Sequence, residues 1–386
     1  MIVPRAIPDF AARPAARGRG GIAIRLALAL AVALPSAARA QAARHEGWTE
    51  APMRIQGRVA ARDGKLLHQW PAIRAEAEFA GPAAALALTD SPARYRVTID
   101  GGGPAPRVVT LDRPATGTLD LDAPGPGPHR LLIETLGETP GEPGVLPRLL
   151  VPDAAAVRPP PPPPPRRIEV IGDSDSTGHG ILHDGRDCDA ATTEASSDST
   201  AAWPAQLART LGADLRLHAA TGVGLIRNYG GAAPDRTMPA IYPRTLWADT
   251  VAPPDPADAW RPQLIVVAIG SNDFASPLQP DERWDGPRAI ARDFAPALAD
   301  FLAGLRDRAP DAAILLAVWP EYGRPYMRAH RAALDLREDA GDDAVALVSL
   351  PRMDKTACGW HPSAADHAAI SATIAAYLAA APPPFP

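Results

Sequence analysis

The chain is short of cysteine, of long apolar runs and, once its N-terminus is set aside, of positive charge. Its two cysteines, Cys188 and Cys358, are too few for a disulfide-built scaffold. They cannot form a structural zinc site alone, and no His-x-x-x-His-type cluster joins them. An even pair fits one disulfide in an oxidising compartment, with two unrelated buried thiols as the alternative. The apolar run at 26–34 falls short of the ~20 residues that a helix needs to cross a bilayer. Around it lie a basic segment (Arg5, Arg13, Arg17, Arg19, Arg25) and the small-x-small site Ala38-Arg39-Ala40. That pattern reads as a cleaved signal peptide over 1–40, so a secreted or periplasmic protein is expected, free of the membrane after cleavage. The segment carries six Arg and one Asp, and its removal takes the formal net charge from −5 to −10. Such an acidic chain is a poor partner for nucleic acid or anionic membrane.

Proline, by contrast, is abundant at 46 residues, and seven of these follow one another from Pro159 to Pro165. Such a run enters neither sheet nor helix and reads as a stiff linker, here 153–166, between two domains. Before it, at 45–152, short runs alternate apolar and polar residues: 54–59, 73–79, 95–99, 107–111 and 129–134. Turn signals such as Gly101-Gly102-Gly103-Pro104 separate them, and the pattern predicts a β-sandwich of jelly-roll type. After it, at 167–386, strand-like runs at 168–171, 215–218, 264–269, 313–318 and 344–348 alternate with helical patterns at 200–211, 287–306, 325–337 and 364–380. That order predicts an α/β fold: a parallel sheet covered on both faces. Two long insertions, 183–199 and 227–261, bring aromatics (Tyr229, Tyr242, Trp247, Trp260) that either anchor the loops or face a substrate.

Open parallel sheets place their chemistry beyond the carboxyl ends of the strands. Ser174 stands there in Gly172-Asp173-Ser174, with Gly172 read as the residue that allows a sharp turn; Ser176 is a competing hydroxyl. Ser174 could equally be a plain helix N-cap. Gly222 in Thr221-Gly222-Val223-Gly224 and Asn272 in Gly270-Ser271-Asn272-Asp273 follow two further strands and offer N–H donors for an oxyanion. His361, in Gly359-Trp360-His361-Pro362-Ser363, precedes the last helix, where Pro362 suits the first helical position, and is the best-placed base. His218 and His367 fall inside a strand and a helix, and His179 and His183 are lesser rivals close to Ser174.

These four blocks resemble the SGNH (GDSL) hydrolase superfamily over roughly 166 to the C-terminus. The β domain, the proline-rich joint, the stretch from Thr221 to Tyr229 and Cys358-Gly359-Trp360-His361-Pro362 resemble carbohydrate esterase family two. The resemblance implies a three-layer α/β/α hydrolase domain after a smaller jelly roll. It implies Ser174 as nucleophile and His361 as base, with the amides of Ser174 and Gly222 and the side chain of Asn272 as oxyanion donors. The implied activity is removal of acetyl groups from plant polysaccharide or sugar acetates by a monomer, with no metal or organic cofactor. Tyr229 and Trp360 become candidate substrate contacts. Two features depart from the family pattern. Cys358 stands where an Asp commonly precedes the His by three residues, leaving a Ser–His dyad oriented by a backbone carbonyl, or a triad completed by Asp354. Asp175 stands where an apolar residue is more usual, either discouraging anionic substrates or pointing into solvent. The alternatives are an SGNH lipase or thioesterase, and a non-catalytic carbohydrate-binding protein.

Overall fold

The structure, a computed structural model, describes residues 44–103, 106–123, 125–248 and 259–380. The expected signal peptide lies outside the described residues. The first part is all-β. Strands β1 (Thr49–Glu50), β2 (Arg54–Gln56), β3 (Ala60–Arg62), β4 (Lys65–His68), β5 (Arg74–Phe79) and β6 (Ala83–Leu88) are followed by β7 (Arg94–Ile99), β8 (Arg107–Asp112), β9 (Gly117–Asp122), β10 (His129–Thr135), β11 (Gly144–Val145) and β12 (Arg148–Val151). They form antiparallel sheets in the orders β1-β12-β6-β9 and β2-β5-β10-β7-β8, with a small β11-β4-β3 sheet. The alternation in β5, β7 and β10 puts Ala75, Ala77, Phe79, Tyr95, Val97, Ile99, Leu131 and Ile133 inward, against Leu86, Leu121 and Leu149 of the other sheet.

The second part is a five-stranded parallel sheet in the order β14-β13-β15-β16-β17: β13 (Arg166–Gly172), β14 (Ala213–Ala219), β15 (Leu264–Ala268), β16 (Ala313–Val318) and β17 (Val345–Ser349). Strands β15 and β16 read as continuous apolar runs because both faces are covered, while β13 and β14 interrupt theirs with Glu169, Asp214, Arg216 and His218. Ile171, Ile265 and Val267 meet helix Pro287–Arg308 on one face, while Val170, Leu264 and Val266 meet helices Trp203–Leu211 and Ala364–Ala380 on the other. Helix Gly323–Asp339 packs against Pro287–Arg308. Ala364, not Pro362, begins the last helix, and Ser363 caps it: its Oγ accepts from Asp366 N at 3.2 Å while Asp366 Oδ2 accepts from Ser363 N at 2.8 Å, a reciprocal cap.

The proline run carries no helix or strand, but it does not hold two bodies apart. Arg54 donates to Asp214 at 3.1 Å, Trp70 Nε1 to the Arg244 carbonyl at 3.2 Å, Ala72 N to Ser199 Oγ at 3.2 Å, and Arg96 to Asp198 at 2.6 Å. One contiguous buried cluster runs from the sandwich through Trp70 and Trp247 to helix Pro287–Arg308. The linker therefore joins parts that share a core.

Candidate active site

Strands β14, β13 and β15 are neighbours, and their last residues are in register: Gly172 pairs with Ala219 and with Ala268. The turns that follow them therefore emerge side by side, carrying Gly222, Ser174 and Asn272. Ser174 opens a single turn of helix, Ser174–Thr177, whose N-cap is Asp173: its carboxylate accepts from Asp175 N at 3.0 Å. Ser174 is thus the first helical residue, and the cap is its neighbour. Gly172 is needed for room rather than for a turn, since a Cβ there would lie 2.4 Å from Ser176 Oγ. That crowding removes the rival hydroxyl, for Ser176 Oγ is fully buried and has no hydrogen-bond partner.

Asn272 lies on the short helix Ser271–Ala275 and donates from Nδ2 to the Val223 carbonyl at 2.9 Å, leaving one of its two amide hydrogens uncommitted by this bond. Asp273 holds the facing loop, accepting from Leu225, Ile226 and Arg227 N–H groups at 2.8–2.9 Å. Its carboxyl is pushed up to about 7 by burial, against those three donors. Arg227 ties the same loop down, donating to Glu282 and, at 2.9 Å, to Ser276 Oγ.

His361 reaches this edge from the far end of the chain. The segment before it pairs with the start of the 183–199 insertion: Gly185 N donates to Thr356 O at 2.9 Å, Arg186 Nε to Lys355 O at 2.9 Å, and Gly359 N to Arg186 O at 2.8 Å. Cys188 and Cys358 are bonded within this crossing, Cα to Cα 5.4 Å. On the Ser174 side the His179 ring lies 4.4 Å from the His361 ring, centroid to centroid. The Nδ1 of His361 lies 2.9 Å from the Cys358 carbonyl. A carbonyl only accepts, so Nδ1 carries the proton and Nε2 keeps its lone pair.

Asp354 does not complete a triad. It is exposed, its backbone N–H donates to Asp366 Oδ1 at 2.9 Å, and its carbonyl accepts from Arg186 at 2.7 Å. The Cys358 carbonyl takes the position at Nδ1 that its carboxylate would need. Asp175 is neither in solvent nor bare. It is 2% exposed and accepts from Lys355 Nζ at 2.9 Å and from Tyr322 OH at 2.6 Å. Burial works to raise its carboxyl, but Lys355, His361 and the two donors outweigh it and hold it below the ordinary carboxylate range. The same pair docks the His361 segment onto the residue after Ser174. His361 itself lies below its ordinary 6.5, chiefly through burial and opposed by the Asp175 charge and the Cys358 carbonyl. His179 is pushed down to about 4 by burial and by His361, so both rings are neutral near pH 7.

The remaining histidines have structural partners. His218 faces Glu169 at 2.8 Å, and His367 Nδ1 accepts from Trp203 N at 3.1 Å. His183 lies beside the disulfide. Of the loop aromatics, Tyr242 bonds Glu169 at 2.9 Å, Trp260 bonds Asp214 at 2.9 Å, and Trp247 is buried with Nε1 3.4 Å from the Gln69 carbonyl. Tyr229 and Trp360 are instead 49% and 61% exposed, and the Arg186 guanidinium lies 3.8 Å from the Trp360 ring centroid.

The fold and the enzyme class it carries are those of an SGNH-type carboxylic ester hydrolase, a three-layer α/β/α domain behind an all-β domain. The chain belongs to the GDSL-like lipase/acylhydrolase family, whose model matches residues 170–369; residues 55–161 match the carbohydrate esterase 2 N-terminal model. An acetylxylan esterase/glucomannan deacetylase of Cellvibrio japonicus is 28% identical over 337 residues, spanning 85% of this chain and 90% of that protein. The solved structure of a family two carbohydrate esterase from Cellvibrio japonicus superposes with a TM-score of 0.72 at 25% identity, covering 86% of this chain and 96% of its own. An acetyl xylan esterase from the rumen bacterium Butyrivibrio proteoclasticus shares the fold, with a TM-score of 0.67 at 20% identity over 86% and 96%.

Proposed function

We propose that the protein is an exported serine esterase that removes acetyl groups from carbohydrate through a Ser174–His361 dyad. His361 Nε2 takes the proton from Ser174 Oγ, which attacks the acetyl carbonyl. The amides of Ser174 and Gly222 and the free amide hydrogen of Asn272 receive the oxyanion. The alcohol leaves with the proton from His361, and water, activated by the same imidazole, releases acetate and frees Ser174. The acid of a triad does two jobs, fixing the tautomer and stabilising the imidazolium. Here the Cys358 carbonyl does the first, and the Asp175 charge nearby favours the second. The observation that carries this reading is the 2.9 Å contact between His361 Nδ1 and the Cys358 carbonyl, in a segment tied by hydrogen bonds and a disulfide to the loop after Ser174. Trp360 and Tyr229, both exposed, are suited to stack on sugar rings. Export rests on the basic and then apolar N-terminus, and an acidic chain suits a neutral polysaccharide.

A time course of acetate release from acetylated xylan, acetylated glucomannan and simple sugar acetates tests the substrate class. Release from at least one polysaccharide is expected, together with acetyl esters of a chromogenic phenol turning over faster than octanoyl or longer esters. Preference for the long chains would make it a lipase instead.

The disulfide gives a second test. It closes a loop across a sequence separation of 170 and sits on the residue whose carbonyl holds His361. A Cys188→Ser/Cys358→Ser variant is expected to lose about 2–5 kcal/mol of stability by chemical denaturation. Well below its melting temperature it should also lose about tenfold or more in kcat, because a ~1 Å misplacement of a reacting group can cost ~10². Unchanged kcat in the folded double variant would show that the bridge does not position the histidine.

A further inference from the structure

The Ser174–His361 dyad takes no group from the β domain, yet a side chain of that domain touches the turn that carries Gly222. Both carboxylate oxygens of Glu138 accept from the Thr221 N–H, at 3.0 and 3.1 Å. This is a long-range bond from the sandwich to the residue just before Gly222. Glu138 is not on a loose loop. Next to it in the chain, the Thr135 and Leu136 carbonyls accept from Ser199 Oγ and Ser199 N of the hydrolase domain at 2.9 and 3.0 Å. On its other side Thr139 and Gly141 are bonded by Gln69, at 3.2 and 2.9 Å. Gln69 in turn accepts from Ala248 N at 3.0 Å. The carboxylate is therefore presented by a segment clamped to both domains.

Gly222 stands at φ +77, in the left-handed region, and a Cβ there would have nothing within 4 Å. Its surroundings are fixed from three directions. Glu138 holds the preceding N–H, the Tyr229 N–H holds the Gly222 carbonyl at 2.9 Å, and Asn272 holds the Val223 carbonyl at 2.9 Å. Among the described residues, no hydrogen bond uses the Gly222 N–H itself. That N–H is not taken up by another described group, as an oxyanion donor requires.

We infer that Glu138 is a positioning residue for the oxyanion site: through Thr221 it fixes the Gly222 N–H, so that the β domain supplies a working part of the esterase rather than only a wall or a binding module. The inference rests on Gly222 being an oxyanion donor. Burial pushes the Glu138 carboxyl up to about 7, against its bonds to Thr221. Either form keeps an oxygen that can accept the Thr221 N–H. The role is therefore geometric, and an amide can replace the acid.

The experiment is steady-state kinetics on a short acetyl ester with full-length Glu138→Ala, Glu138→Asp and Glu138→Gln, well below their melting temperatures, beside Ser174→Ala. Losing an oxyanion donor outright costs about 10²–10³ in rate, so displacing one is expected to lower kcat by roughly 10–50-fold in Glu138→Ala, with KM within about twofold. Glu138→Asp, which withdraws the carboxylate by one methylene, should fall with it. Glu138→Gln, which keeps the side-chain length and an acceptor oxygen, should return to within about threefold of the native enzyme, showing that the acceptor and not the charge matters. The kcat loss at unchanged KM in the other two variants is what separates positioning from lost packing or docking. Native-like kcat in Glu138→Asp or Glu138→Ala, a loss confined to KM, or a Glu138→Gln variant as slow as Glu138→Asp would each overturn the inference. If Ser174→Ala is dead while the Glu138 series is flat, only this inference fails. If Ser174→Ala stays active, the serine mechanism beneath it fails as well.

Discussion

Ser174→Ala is expected to lower kcat on a short acyl ester by about 10⁴-fold or more while leaving the melting temperature within a few degrees of native. The size follows from the role. Without the nucleophile the site keeps only its donors and its binding contacts, which in serine hydrolases leave roughly 10³–10⁴ of acceleration over water out of a far larger total. The small effect on stability follows from position. Ser174 is the first residue of its helical turn, and the cap that holds the turn belongs to Asp173, which also accepts from Ser271 Oγ. Ser176→Ala is the control. Its hydroxyl is buried without a partner, so its removal should leave kcat near native. Loss of activity in Ser176→Ala with activity kept in Ser174→Ala would reverse the assignment.

His361→Ala should cost about as much as Ser174→Ala, because a nucleophile and its base act as one unit and their losses do not add. The same residue sets the pH dependence. A base works only when neutral, so kcat/KM should rise with pH and level off. Because burial depresses His361, the half-rise should lie below pH 6.5. Asp175 opposes that depression, so Asp175→Asn should move the half-rise to still lower pH. Lys355 would then be left without its carboxylate, and a stability loss should accompany the shift. Asp354→Asn should leave kcat within about twofold, since its carboxylate is exposed and Nδ1 is already held by a carbonyl. A fall of ~10²-fold or more in Asp354→Asn would restore a triad.

Much of this arrangement was legible in the chain. The five strand-like runs after the prolines all became strands of one parallel sheet, and the clearest of them, Leu264–Ala268, carries the unbroken apolar signature of a strand buried on both faces. Helix Ala364–Ala380 lay where its pattern placed it. Strand β6, Ala-Ala-Ala-Leu-Ala-Leu, was not foreseen, because alanine has little strand preference and the stretch has no polar residue to mark an outer face. The site was legible as residue types at strand exits and obscure wherever backbone or distant partners decide. A carbonyl acceptor such as that of Cys358 leaves no trace in residue identity. Asp175 read as an exposed or repelling charge because its partner Lys355 lies 180 positions away. Glu138 gives no signal in the sequence because it sits in a loop of another domain, where a carboxylate is ordinarily a solvated surface group. A sequence signal could have raised either residue only through its partner, and pairings over such distances are fixed by topology.

The most direct test of the claim that His361, held by the Cys358 carbonyl, activates Ser174 is covalent labelling with a small serine-directed phosphonate, followed by peptide mass spectrometry. The account predicts one adduct, on Ser174, formed far more slowly in His361→Ala and at the native rate in Asp354→Asn. An adduct on Ser176 or another serine, or labelling of Ser174 at an undiminished rate without His361, would contradict it.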